Sequence, residues 1–224
     1  MWTMAPSDID PQFRQHIESK YSPVSRDDQE KLIDAMMGLM EYGRDRKQSM
    51  HSFLEQVTRV IFRFFALDEV VIGLYDRRQK DYYIEVVFGY RNELATEYKK
   101  LRYDHEDMVG QNTFPHINIG RISELNPVEG LPESERKLFN RPFMGSDARK
   151  TPDEFHEGDY IDVWMRDHQK NIIGWIEISR TRDGKLPPRI TVMWVEFIAS
   201  VCACVIHQRW MQEDRIRGSK ADGQ

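Results

Sequence analysis

The chain is short of nearly everything that marks an enzyme. Its 224 residues contain only two cysteines, Cys202 and Cys204, so a disulfide framework is excluded. Two residues apart on a predicted helix, they point to different faces and cannot bond to each other. The plain reading is two small buried hydrophobes rather than a redox pair. There is no glycine-rich phosphate loop, no nucleophile elbow and no kinase signature set, and no Ser/His/Asp or Cys/His set stands out. No catalytic residue is therefore assigned. The N-terminus, MWTMAPSDID, lacks the basic and apolar regions of a signal peptide. The longest apolar run, Val192 to Ile206, is interrupted by Glu196 and Ser200 and is short for a bilayer, so a buried helix in a cytoplasmic chain with no membrane partner is expected. Positive charge is not in excess: 32 Lys and Arg stand against 37 Asp and Glu, for a net charge of -5, which argues against nucleic acid as a partner.

What is present suits a folded, polar-surfaced domain: 40% hydrophobic residues, 11% aromatic, and mean hydropathy of -0.66. Residues 1–24 read as an N-terminal arm punctuated by Pro6, Pro11 and Pro23, residues 25–212 as one domain, and 213–224 as a disordered tail. Ser25 with acidic residues behind it suits a helix start. Leu32, Ile33, Met36, Met37, Leu39 and Met40 then make a stripe at helical spacing that ends near Gly43. A second helix after Ser49 places Met50, Phe53, Leu54, Val57, Val60, Ile61, Phe64 and Phe65 on its inner side. Val70 to Tyr75 and Tyr82 to Phe88 read as a hairpin, and Asn92 to Leu101 as a helix.

From Tyr103 to Glu157 glycines and prolines break the pattern. A strand is expected through His116 to Ile122 and a helix at PESERKLFN, and so long an irregular middle is often functional. Next comes GDYIDVWMRDHQKNIIGWIEISRTRDGKLPP, Gly158 to Pro188, a second hairpin. Alternation puts Ile161, Val163 and Met165 on one face with Ile172, Gly174, Ile176 and Ile178. Tyr160, Asp162 and Trp164 share the other with Ile173, Trp175 and Glu177. Neither face suits free solvent, so both should be covered. A last helix, Ile190 to Met211, is apolar nearly all round, so a surface other than the sheet must meet its second side.

This order of elements resembles a GAF domain, most closely in the late hairpin and the DGKLP turn before the last helix, with VVIGLYD and YYIEVVFGY similar to the first hairpin of the family. Asn171 stands where many members have Gly, and Trp164 where a proline often sits. The cyclic-nucleotide signature, the cysteines of the methionine-sulfoxide reductases and an obvious bilin-attachment cysteine are missing. The resemblance implies an α+β fold: a central antiparallel sheet of five or six strands, with N- and C-terminal helices on one face and an irregular segment over a pocket on the other. It also implies a non-enzymatic sensor or regulatory domain.

The aromatic and acidic face would then line the pocket. Tyr160, Asp162, Trp164, Trp175 and Glu177 suit a planar or cationic ligand of unknown identity, with Phe143 reaching in from the middle segment. The plain alternative is a core patch with acids at its rim. The runs DHED, Asp104 to Asp107, and DEFHEGD, Asp153 to Asp159, match no tight metal spacing, and solvated loops are the favoured reading. His105, His116 and His156 are the positions from which a haem ligand would come. The expected function is small-molecule sensing, signalled through the terminal helices of a homodimer to an output domain or partner protein. The alternatives are a ligand-free dimerisation module of the same fold and, less favoured, a redox enzyme using Cys202 and Cys204.

Overall fold

A computed structural model describes residues 10, 12, 15–17, 28–109, 116–130 and 149–221. Two compact units are present, Met1–Met37 and Gly38–Gln224, and the division falls inside the first helix. Ser25, the helix expected at PESERKLFN, and Phe143 lie outside the described residues.

Helix α1 is Asp28–Arg44 and α2 is Met50–Phe65. Ser49 caps α2 by accepting the Ser52 N–H at 3.0 Å, as its position before an apolar stripe predicts. The α1 residues expected as one stripe separate into two. Leu32, Met36 and Leu39 are buried, whereas Ile33, Met37 and Met40 are exposed.

Strands β1 (Leu67–Asp76) and β2 (Asp81–Phe88) form the first hairpin, followed by α3 (Asn92–Tyr98), β3 (Arg102–Tyr103) and α4 (His105–Val109). The strand expected at 116–122 is instead the short pair β4 (Ile117–Asn118) and β5 (Ser123–Asn126), because the chain turns between them, where the Ile119 N–H donates to the Ser123 carbonyl at 3.1 Å. Strands β6 (Tyr160–Arg166) and β7 (Ile172–Thr181) make the late hairpin, and α5 (Arg189–Ala221) ends the described chain. Helix α5 thus runs through most of the segment read as a tail. The seven described strands form one antiparallel sheet in the order β3-β2-β1-β7-β6-β5-β4.

Register confirms the two faces read from alternation. Ile161 opposes Ile178, Val163 opposes Ile176 and Met165 opposes Gly174 on one face, while Asp162 opposes Glu177 and Trp164 opposes Trp175 on the other. One residue departs: Ile172 packs with Trp164 and Trp175, because a register shift between Met165 and Arg166 offsets the alternation at the turn. In that turn the left-handed residue is Lys170, with φ of 68°, and not Asn171. Asn171 instead donates its amide and side chain to Asp167 at 2.8 and 3.0 Å.

Helices α2 and α5 cover the aliphatic face, with α5 against β6 and β7 and α2 against β1 and β2. By length and composition Arg189–Ile216 could cross a membrane, but 56% of its apolar 18-residue window is buried within the fold. Near the far end of α5, the Arg209 guanidinium donates to the Gly43 and Gln48 carbonyls at 2.9 and 3.0 Å. It thereby satisfies one carbonyl in the last turn of α1, where the helix dipole favours a cation, and one in the connection to α2.

Candidate functional site

The opposite face of the sheet divides into an aromatic half and an acidic half. On the aromatic half Trp175, Trp164, Tyr82, Ile84, Val71 and Tyr98 are buried together, covered by residues of α3, β3 and α4 such as Leu94, Tyr103 and Met108. Trp175 stands edge-on to Tyr103, with centroids 5.9 Å apart, and to Tyr82 at 6.3 Å. Its indole lies on the bare backbone of Gly73, where a Cβ would fall 2.0 Å from the ring. The Tyr82 hydroxyl donates to the Ile172 carbonyl at 3.0 Å. Trp164 and Trp175, at 7% and 3% exposed, are therefore interior side chains of this half rather than open walls.

On the acidic half, register brings three carboxylates into one row. Glu124 of β5 opposes Asp162 of β6, which opposes Glu177 of β7. Asp162 is buried, and Asn126 donates to it at 3.2 Å. Ser179 donates to Glu177 at 2.8 Å. Burial first, then the charges of Glu177 and Glu124, pushes the Asp162 carboxyl well above its ordinary value, against the pull of the Asn126 bond. Burial and the neighbouring Glu177 likewise raise the Tyr90 phenol well above its ordinary value. Such a row can hold a proton or receive a cationic or donor-rich group, since three adjacent carboxylates resist ionising together.

Tyr160 is half-buried at the end of β6, opposite Asn126. The three histidines are not brought together: His105 is exposed on α4, His116 is half-buried before β4, and His156 is half-buried in the approach to β6. Among the described residues no group of three or more His, Cys, Asp or Glu side chains is placed to hold a metal.

The DEFHEGD run is not a solvated loop throughout. Asp159 is 1% exposed and accepts from the Val128 and His156 N–H groups at 3.0 and 2.8 Å. Both terminal nitrogens of Arg149 also reach Asp159, each at 2.7 Å, while Arg149 bonds Glu129 at 2.6 and 2.7 Å. One guanidinium therefore ties together residues 129, 149 and 159. The DHED run is an N-cap, in which the Asp104 and Asp107 side chains accept each other's backbone N–H at 2.8 and 2.9 Å.

Sequence reading missed Glu124, Asn126 and Ser179, the neighbours that give Asp162 and Glu177 their setting. Ser179 continues the β7 alternation and was within reach. Glu124 and Asn126 lie on a four-residue strand, and the side chain that Asn126 reaches, Asp162, is 36 residues away, so no local pattern reveals that register. A separate open cavity of about 380 Å³ lies far along the sheet, between the β1–β2 turn and α5, lined by Tyr75, Tyr83, Arg77, Arg78 and Trp210 among others.

No family model matches the chain, and no curated protein matches it in sequence. Solved structures do match in shape. The GAF domain from a phosphoenolpyruvate-protein phosphotransferase of Coxiella burnetii aligns with a TM-score of 0.52 at 12% identity, over 82% of this chain and 96% of that one. A GAF domain/HD domain protein from Geobacter sulfurreducens gives 0.51 at 13% identity, over 78% and 97%. The Stigmatella aurantiaca phytochrome photosensory core module gives 0.52 at 14%, over 86% of this chain and 39% of the larger one. Sheet order, the helices packed on one face and these matches lead to one conclusion: the chain has the α+β fold of a GAF domain.

Proposed function

We propose that the chain is a non-enzymatic signalling sensor domain that takes a small molecule over the acidic half of the sheet and signals through its terminal helices as a homodimer. The carrying observation is the row Glu124, Asp162 and Glu177, with Asp162 buried and crowded by like charge. A bound cation or hydrogen-bond donor would relieve that crowding, which makes an amine or guanidinium compound the favoured ligand class. Tyr160 borders this half, while Trp164 and Trp175 support it from the aromatic side. Output would pass to a partner protein or domain through α5, whose Glu196 contacts β5.

Native mass spectrometry and an absorption spectrum of the freshly purified chain come first, followed by calorimetric titration with a panel of primary amines and guanidinium compounds. The reading expects an adduct or saturable binding that Asp162→Asn weakens about tenfold or more, in line with a lost charge-assisted bond. A clean protein mass, no chromophore and no saturable binding would reject it. The second reading, a ligand-free dimerisation module, draws on the aromatic half, where side chains fill the face. A stable dimer without any ligand would favour it.

A further inference from the structure

Two histidines from distant segments meet at the surface. His168 is exposed in the β6–β7 turn, and His207 is half-buried on α5. Their ring centres are 5.0 Å apart, with 64° between the ring planes. No described residue makes a hydrogen bond to either ring. Other histidines differ in this respect: the His51 ring is bonded to Glu85 at 2.7 Å, and the His156 ring to the Glu157 carbonyl at 3.2 Å. Two imidazoles thus stand side by side with their nitrogens uncommitted within the described fold.

We propose that His168 and His207 form a site for a divalent transition metal of the zinc, nickel and copper class, which ties α5 to the β6–β7 turn. Imidazole binds such a metal at about 2.0–2.1 Å, which puts the ion about 3.2 Å from the ring centre. Two rings on one tetrahedral ion then have centres about 5.2 Å apart, and neighbouring rings on an octahedral ion about 4.5 Å. The 5.0 Å between His168 and His207 falls inside that interval. The rings meet edge to face, so one must turn for both nitrogens to face one point. His168 is free to do so, because it is exposed and the terminal torsion of histidine is broad. Its backbone is held meanwhile: Asp167 accepts the Gln169 and Asn171 N–H groups, each at 2.8 Å, and closes the turn.

Ligand chemistry selects the ion. The turn carries Arg166 and Lys170 beside Asp167, so local charge does not draw a cation and the imidazole nitrogens must. They suit zinc, nickel and copper, whereas magnesium and calcium need oxygen ligands. Among the described residues no third His, Cys, Asp or Glu side chain joins the pair, which leaves the other coordination positions to water and makes the site reversible. The unfolded chain does not hold the two histidines together. The ion therefore binds the folded state and fastens the last helix to the hairpin turn. The pair shares no residue with the row Glu124, Asp162 and Glu177, so it stands or falls independently of any ligand over that row.

The test uses the whole chain, freed of metal by chelation and dialysis, in a buffer that binds no metal. Calorimetric titration with nickel chloride and with zinc chloride should give one ion per chain, and magnesium chloride none. His168→Ala and His207→Ala should each weaken that binding about tenfold or more, since losing even a supporting group at a metal site costs about 10–100-fold. Cys204→Ser and His51→Ala should leave it unchanged. At a nickel concentration about 100 times Kd, the wild-type melting midpoint should rise by about 5–10 °C. Neither His168→Ala nor His207→Ala should show that rise, each judged against its own metal-free melt, so a variant that folds less well still reports. Binding that survives either substitution, a midpoint that nickel leaves unmoved, or magnesium bound as tightly as nickel overturns the inference.

Discussion

Glu196, in the middle of α5, accepts the hydroxyl of Ser123 at 2.8 Å and, with the same oxygen, the Ile122 N–H at 2.8 Å. A side chain that interrupts the apolar run of the last helix is thus the clasp between that helix and the start of β5. Gly120 makes room for it, since a Cβ there would lie 2.3 Å from the Glu196 carboxylate. Replacing Glu196 by Ala should cost about 1–3 kcal/mol, the penalty for leaving a buried donor unmet. Glu196→Gln keeps an acceptor and should cost less. Urea unfolding of both variants measures the difference, and equal losses would show that the hydrogen bonds are not what matters.

A methyl group at position 73 has nowhere to go. Gly73→Ala should destabilise the domain by about 1–3 kcal/mol, because the Trp175 ring must leave its place against the strand. Near-ultraviolet circular dichroism would follow the displaced indole. An unchanged spectrum and an unchanged unfolding midpoint would mean that the ring is free to move aside.

The sign of the pH effect at Asp162 follows from its upward shift. A carboxyl whose folded pKa is raised contributes its stability below the unfolded value of 3.8 and loses it as pH climbs through the higher folded value. From weakly acid to neutral pH, wild type should therefore lose stability relative to Asp162→Asn, by at most about 1.4 kcal/mol per pH unit for one proton. Thermal melts of the two proteins across that window give the difference curve. A flat difference would mean that Asp162 titrates alike folded and unfolded.

Arg149→Met removes the only cation reaching the buried Asp159 among the described residues, and should cost about 3–5 kcal/mol. Asp159→Asn in the same chain should recover part of that loss. Glu129→Gln should change little, about 1 kcal/mol or less, because Glu129 is 55% exposed. Chemical denaturation of the set forms a double-mutant cycle, and additive losses at Arg149 and Asp159 would refute their coupling.

Local pattern carried the late hairpin well. Alternation alone separates Ile161, Val163 and Met165 from Asp162 and Trp164, because one face must be apolar enough to meet helices and a slip of one residue would exchange the two. It could not say that the aromatic face has two regions. The division depends on β1 and β7 bringing Gly73 beneath Trp175, and on β5 bringing Glu124 beside Asp162, both pairings between distant segments. The same limit hid the role of Glu196, whose partners lie 73 and 74 residues earlier. The exposed half of the α1 stripe shows a different limit: spacing reports which residues share a side, not how much of that side is covered.

Helix α5 is one unbroken rod of 33 residues, about 50 Å long, with no proline and no glycine before Gly218. A rod without a joint has few soft torsions. A small turn about its axis, imposed where Glu196 holds Ile122 and Ser123, would meet no proline or glycine to absorb it over the four turns to Met211.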